Sequence, residues 1–162
     1  MSYSSVALLC THGRWRAAEV DLEQCESVSD MADVLVDLGG HVRLLLVEQD
    51  DEYAAILRCD EDSSEIRVFL SDGHAADNYP IAEILAEDLQ PVGTISTDLE
   101  DEDLPLRHES APFGDAAVVE DLGTDPADLL AMCRHAGTLP IDVLVAVCEK
   151  AGCIEHFDAM RG

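Results

Sequence analysis

The sequence predicts an α+β protein: an antiparallel sheet module with element order ββαβββα, an acidic linker, and a C-terminal helical hairpin. Three observations carry this prediction. Short aliphatic runs separated by Gly- and Asp-rich turns recur through residues 1–89, as strands joined by tight connections do. Two stretches of the same region switch to the 3.6-residue apolar period of an amphipathic helix. Beyond residue 115 the helical period takes over, after a segment rich in proline and acid.

Residues 3–10 (YSSVALLC) and 14–21 (RWRAAEVD) read as two strands, with Thr11-His12-Gly13 supplying hairpin turn chemistry. Ser29 is placed to cap a helix whose Met31, Val34, Leu35 and Leu38 share one face, and Gly39-Gly40 provides the positive φ that stops it. Strands follow at 42–48, 53–59 and 65–71, punctuated by Asp50-Asp51-Glu52 and by Asp60-Glu61-Asp62-Ser63-Ser64. In the last of these Ile66, Val68 and Leu70 alternate with Arg67, Phe69 and Ser71, which predicts one apolar face and helices covering that face alone. A second helix is expected at about 79–89, with Pro80 in its first turn and Ile81, Ile84, Leu85 and Leu89 as its stripe. These elements make a sheet module of residues 1–89.

Residues 90–115, with Pro91, Pro105, Pro112 and the run DLEDED, read as a linker extended by self-repulsion. Residues 116–162 form a small helical module with an internal echo. Thr124-Asp125-Pro126 answers Thr138-Leu139-Pro140, and Cys133-x-x-Ala136-Gly137 answers Cys148-x-x-Ala151-Gly152. In each unit Thr is expected to cap, Pro to occupy the first turn and Gly to close the helix. Such a short module has a marginal core alone, which predicts docking onto the sheet or onto a partner.

Composition bounds the function. The chain has 162 residues, 35 acidic against nine basic, a formal charge of -26, and is 48% hydrophobic. A disordered acidic tail would lack that apolar content, so the sequence describes a folded core coated in carboxylates. Residues 48–89, within the sheet module, are the most acidic quarter, with thirteen acids and two bases. Aromatics make up only 4%, so the core rests on Leu, Val, Ile and Ala, with the single tryptophan, Trp15, as an anchor. The opening MSYSSVALLC has no basic n-region, and no run approaches the about 20 apolar residues that span a bilayer. A cytoplasmic location is therefore expected, with the six cysteines as reduced, packing thiols.

Catalytic signatures are absent: no Gly-rich phosphate loop, no G-x-S-x-G and no H-E-x-x-H. Ser71-Asp72-Gly73-His74 holds triad residue types side by side, where a strand-to-helix turn accounts for them better. Cys133, His135, Cys148, Cys153 and His156 have spacings that fit no standard zinc finger. The acidic runs lack the Gly and Glu positions of an EF-hand. The reading is thus a protein with no catalytic residue, no metal and no cofactor. No basic stripe with interleaved aromatics exists, so direct nucleic-acid binding is disfavoured, and a membrane role is not expected. A strongly acidic surface suits a basic protein partner, and the candidate contacts are Asp50, Asp51, Glu52, Asp60, Glu61 and Asp62. The alternatives are a general acidic interaction module or nucleic-acid mimic, carboxylates that serve solubility alone, and a metal-dependent enzyme built on Cys133, Cys148 and Cys153.

Four stretches resemble the bacterial tRNA adenosine deaminase-associated proteins: DDEYAAILR (50–58), RVFLSDGHAA (67–76), AEILAEDL (82–89) and DLGTDPADLLAMCRHAGTLPIDVLVAVCEKAG (121–152). They occur in the family's order, with an acidic segment of variable length between the last two, here interrupted by Leu104-Pro105-Leu106-Arg107-His108. The resemblance implies a non-catalytic accessory protein with the tRNA adenosine deaminase as the basic partner, and carries over no catalytic residue. The zinc-holding H-x-E and P-C-x-x-C elements of that enzyme are missing from this chain.

Overall fold

A computed structural model describes residues 3–63, 65–87, 89, 112–135 and 138–161. Six strands form one sheet: β1 (Tyr3–Thr11), β2 (Arg14–Glu19), β3 (Val42–Gln49), β4 (Tyr53–Arg58), β5 (Arg67–Leu70) and β6 (Phe113–Gly114). Their order is β2-β1-β3-β4-β5-β6 and every pairing is antiparallel. The helices are α1 (Val28–Leu38), α2 (Pro80–Ala86), α3 (Pro126–Arg134), α4 (Pro140–Ala151) and α5 (Ile154–Arg161). The order ββαβββα through α2 follows the sequence pattern. The β1–β2 hairpin closes through His12 and Gly13 at φ 52° and 78°, the twist that a two-residue loop demands.

Helices cover both faces of the sheet, not one. Ala7, Leu9, Leu45, Val47, Ala55, Leu57, Val68 and Leu70 face a core completed by Met31 and Leu35 of α1 and Ala82 and Leu85 of α2. On the other side Val6, Leu8, Leu44, Leu46, Ile56 and Phe69 meet Leu129, Val143, Leu144, Val147 and Phe157 of α3, α4 and α5. The correction has a plain cause: β1, β3 and β4 carry continuous apolar runs, and a strand buried on both faces has no polar side to alternate. The C-terminal helices therefore take the sheet itself as their missing core. Trp15 is only half-buried and packs at the margin of this second cluster, while Tyr53, Phe69 and Phe157 are the large buried rings.

Several local expectations shift. The cap of helix α1 falls two residues before Ser29, on Ser27, because the Ser27 hydroxyl accepts the Asp30 amide and the Asp30 carboxylate accepts the Glu26 amide. Thr124 and Thr138 precede the caps, which fall on Asp125 and Leu139 with no side-chain cap bond, and the buried Thr124 hydroxyl has no hydrogen-bond partner among the described residues. Pro126 and Pro140 do open α3 and α4, and the Asp142 carboxylate accepts the Leu139 amide. Most of 90–115 lies outside the described residues, but its last residues contain β6, which pairs with β5. Gly114 permits that pairing. Its φ is 100°, and a Cβ there would overlap the Val68 carbonyl.

Candidate functional site

Antiparallel topology sorts the loops between the two ends of the sheet. One end receives the β1–β2 hairpin, the start of β3, the end of β4 and the start of β5. All five sheet arginines lie there: Arg14, Arg16, Arg43, Arg58 and Arg67. The opposite end receives the close of β2, the β3–β4 turn and the exit of β5. It carries Glu19, Asp21, Glu23, Glu48, Asp50, Asp51, Glu52 and Asp72, and none of the sheet's arginines. The six residues of β4 separate the two ends by about 20 Å at ~3.3 Å per residue.

The six candidate contacts consequently fall into two groups that the structure does not bring together. Asp60, Glu61 and Asp62 sit at the arginine end. Asp60 is engaged: Nε of buried Arg58 donates to both of its oxygens at 3.0 and 3.2 Å, and a terminal nitrogen at 2.9 Å. Arg58 also donates to Asp121 at 2.6 and 2.9 Å and to the Val118 carbonyl at 2.8 Å. The hydrogen bonds it donates to Asp121, then those to Asp60, strengthen the guanidinium's hold on its proton against the opposing effect of burial. In return, Arg58 holds the Asp121 carboxyl below the ordinary aspartate range. Glu61 lies 3.4 Å from His41, and Asp62 is exposed. Arg67 makes a parallel tie, donating to Asp115 at 2.7 Å and to the Ala117 carbonyl at 2.8 Å.

Asp50, Asp51 and Glu52 form the exposed turn at the acidic end. Asp50 and Asp51 adopt φ 53° and 60°, left-handed backbone that aspartate tolerates better than most residues. The turn is stiffened by Glu52 N–H to the Gln49 carbonyl at 2.9 Å and Asp51 N–H to the Glu48 carboxylate at 2.9 Å. Tyr79 is raised in pKa by desolvation and then by Asp50 and Glu52. An open cleft of about 350 Å³ at this end is edged by Glu19, Asp21 and Glu23. Another, of about 150 Å³, lies between Asp51, Glu52 and Asp72 on one side and Met132 and Cys133 on the other. Burial pushes the Cys133 thiol up to about 12, so it is neutral and a poor nucleophile near pH 7. Arg134, next to it, brings one base toward this end.

The Ser71-Asp72-Gly73-His74 motif is structural. The Ser71 hydroxyl accepts the Ala54 amide at 2.9 Å, and Asp72 caps a short 3₁₀ turn by accepting the His74 amide at 3.0 Å. Ser, Asp and His here shape the exit from β5. Among the described residues no three His, Cys, Asp or Glu side chains converge so as to hold a metal ion, and no helix is long and apolar enough to cross a membrane.

The geometry defines an α+β protein with one antiparallel sheet covered on both faces and its strand arginines gathered at one sheet end. The chain belongs to the Rv3753c-like tRNA adenosine deaminase-associated protein family, whose model matches residues 3–154. No curated protein and no solved structure matches it. Sequence reasoning missed that Glu19, Asp21, Glu23, Glu48 and Asp72 join the 50–52 turn. The signal was present in the connectivity, because alternate connections of an antiparallel sheet share an end.

Proposed function

We propose that the protein is a non-catalytic, cytoplasmic accessory protein that docks on a basic surface of the tRNA adenosine deaminase through the acidic end of its sheet. One observation carries the reading: among the described residues, the Asp50, Asp51 and Glu52 carboxylates lie at the end opposite the sheet arginines that pair with Asp60, Asp121 and Asp115. Unneutralised charge on a rigid turn supplies a long-range field that speeds encounter with a basic surface and sets its orientation. The family description supports the identity of the partner.

The test is co-migration and titration calorimetry of the purified protein with the deaminase across a salt series. Asp50→Asn, Asp51→Asn and Glu52→Gln, combined, are expected to weaken binding about tenfold or more at low salt, since each lost rim charge chiefly slows association. Asp62→Asn, at the other end, is expected to leave it within about twofold. Independent migration of the two proteins at low salt would sink the proposal. Equal binding to unrelated tRNA-binding proteins, displaced by RNA, would instead favour a general acidic mimic.

A further inference from the structure

The corner between α4 and α5 places two thiols in a specific relation. Helix α4 ends at Gly152, in the left-handed conformation at φ 89°, and the amides of Gly152 and Cys153 both donate to the Cys148 carbonyl, at 2.9 and 3.0 Å. This is a Schellman-type helix end, in which the side chain four residues before the left-handed glycine and the one just after it are brought against each other. A hydrophobic contact frequently fills that place. Here both positions are cysteine and both are fully buried, so the helix-end geometry sets one thiol beside the other.

The environment makes the two sulfurs unequal. Cys153 precedes the first turn of α5, where its carbonyl accepts the His156 and Phe157 amides, and its thiol is lowered in pKa by the hydrogen bond from Cys148. Cys148 is correspondingly held protonated by that bond and by burial. The same turn holds His156, whose buried Nδ1 has no hydrogen-bond partner among the described residues.

We infer that Cys148 and Cys153 are a redox couple, a site of reversible intrachain disulfide formation driven by a low-molecular-weight disulfide. In the first step the Cys153 thiolate attacks one sulfur of the oxidant, forms a mixed disulfide and expels a thiolate. Cys148 then attacks the Cys153 sulfur, passes its proton to the departing second thiolate and closes the bond. The pair loses two electrons and two protons, and the oxidant leaves as two thiols. Because both sulfurs are buried, the oxidant reaches them only when α5 opens locally, and the finished bond ties α5 to α4. This inference is independent of the proposed partner.

The experiment uses the full chain in glutathione redox buffers, quenched in acid, alkylated after unfolding and cut with trypsin. Cleavage after Arg134, Lys150 and Arg161 puts Cys148 and Cys153 on separate peptides, so their disulfide appears as a linked pair. The 148–153 pair is expected to exceed any linkage among the other four cysteines by about tenfold. Cys148→Ser is expected to retain glutathione on Cys153, and Cys153→Ser to leave Cys148 free. Six alkylated thiols at the most oxidising poise would overturn the inference, as would scrambled linkages in the wild type. Glutathione on Cys148 of the Cys153→Ser variant, in the yield found at Cys153, would overturn the assignment of the nucleophile.

Discussion

Arg58 shows how a residue that the sequence marks only as a base at a strand end becomes the tie between two parts of the chain. Its guanidinium side chain is 5% exposed and gathers Asp60, 22% exposed, and Asp121, 63% exposed, together with the Val118 carbonyl. Removing the cation leaves the buried Val118 carbonyl without its donor and takes from Asp60 and Asp121 the guanidinium that pairs them, with Asp60 keeping only the Arg43 amide at 3.4 Å. Arg58→Ala is expected to cost about 3 kcal/mol, the lower side of the range for a broken buried pair because Asp121 reaches water. Chemical denaturation checks it, and a loss under 1 kcal/mol would mean that the bridge only decorates the fold. The pH dependence has a definite sign. Asp121 is depressed in the folded state, so its contribution is present above the unfolded aspartate value, about 3.9, and is lost as pH falls through the lower folded value. Asp121→Asn should therefore flatten the acid limb of the stability profile relative to wild type. The comparison between the two proteins cancels the general relief of repulsion that acid brings to the rest of the surface. None of this was legible in the sequence, because Asp121 lies 63 residues from Arg58 and nothing local distinguishes it from the other acids.

At the scale of elements, what was legible followed from periodicity and punctuation, and what was lost depended on tertiary partners. The β1–β2 hairpin, α1, β3, β4, β5 and α2 announce themselves through turn residues and apolar spacing. β6 does not. Two residues, Phe113 and Gly114, have no period, and they form a strand because β5 offers an unpaired edge and the Arg67–Asp115 tie fixes the register. Gly114 tests that account. A methyl group at φ 100° is both strained and aimed at the Val68 carbonyl, so Gly114→Ala is expected to cost more than about 1 kcal/mol and to lift β6 from the edge. Hydrogen exchange at the Asp115 amide, which donates to the Val68 carbonyl at 2.9 Å, reads the event directly. Unchanged protection there would show that β6 is held by its flanks and not by its glycine. The second covered face was legible in principle, since runs such as VRLLLV in β3 leave no side for water.

At the scale of the molecule, a charge of -26 acts on two equilibria in opposite directions. Folding concentrates like charge, so self-repulsion opposes the compact state, and salt that screens it favours the fold. Docking on a basic surface brings unlike charges together, and the same salt weakens it. Raising ionic strength from 0.01 to 0.15 M shortens the screening length from about 30 to about 8 Å, less than the separation of the two sheet ends. The melting temperature is expected to rise by about 2–4 °C, the shift that ~1 kcal/mol produces in a domain of this size. Over the same interval the affinity for the deaminase is expected to fall about tenfold or more. The combined Asp50→Asn, Asp51→Asn, Glu52→Gln variant links the two measurements. Losing three charges from one crowded turn should raise its melting temperature at low salt while reducing both its affinity and the salt dependence of that affinity. A variant that gains stability and binds as before would place the role of these carboxylates in solvation alone. A variant that loses both would mean that the turn is needed for the fold, and binding would then be read from Glu19, Asp21 and Glu23 at the same end.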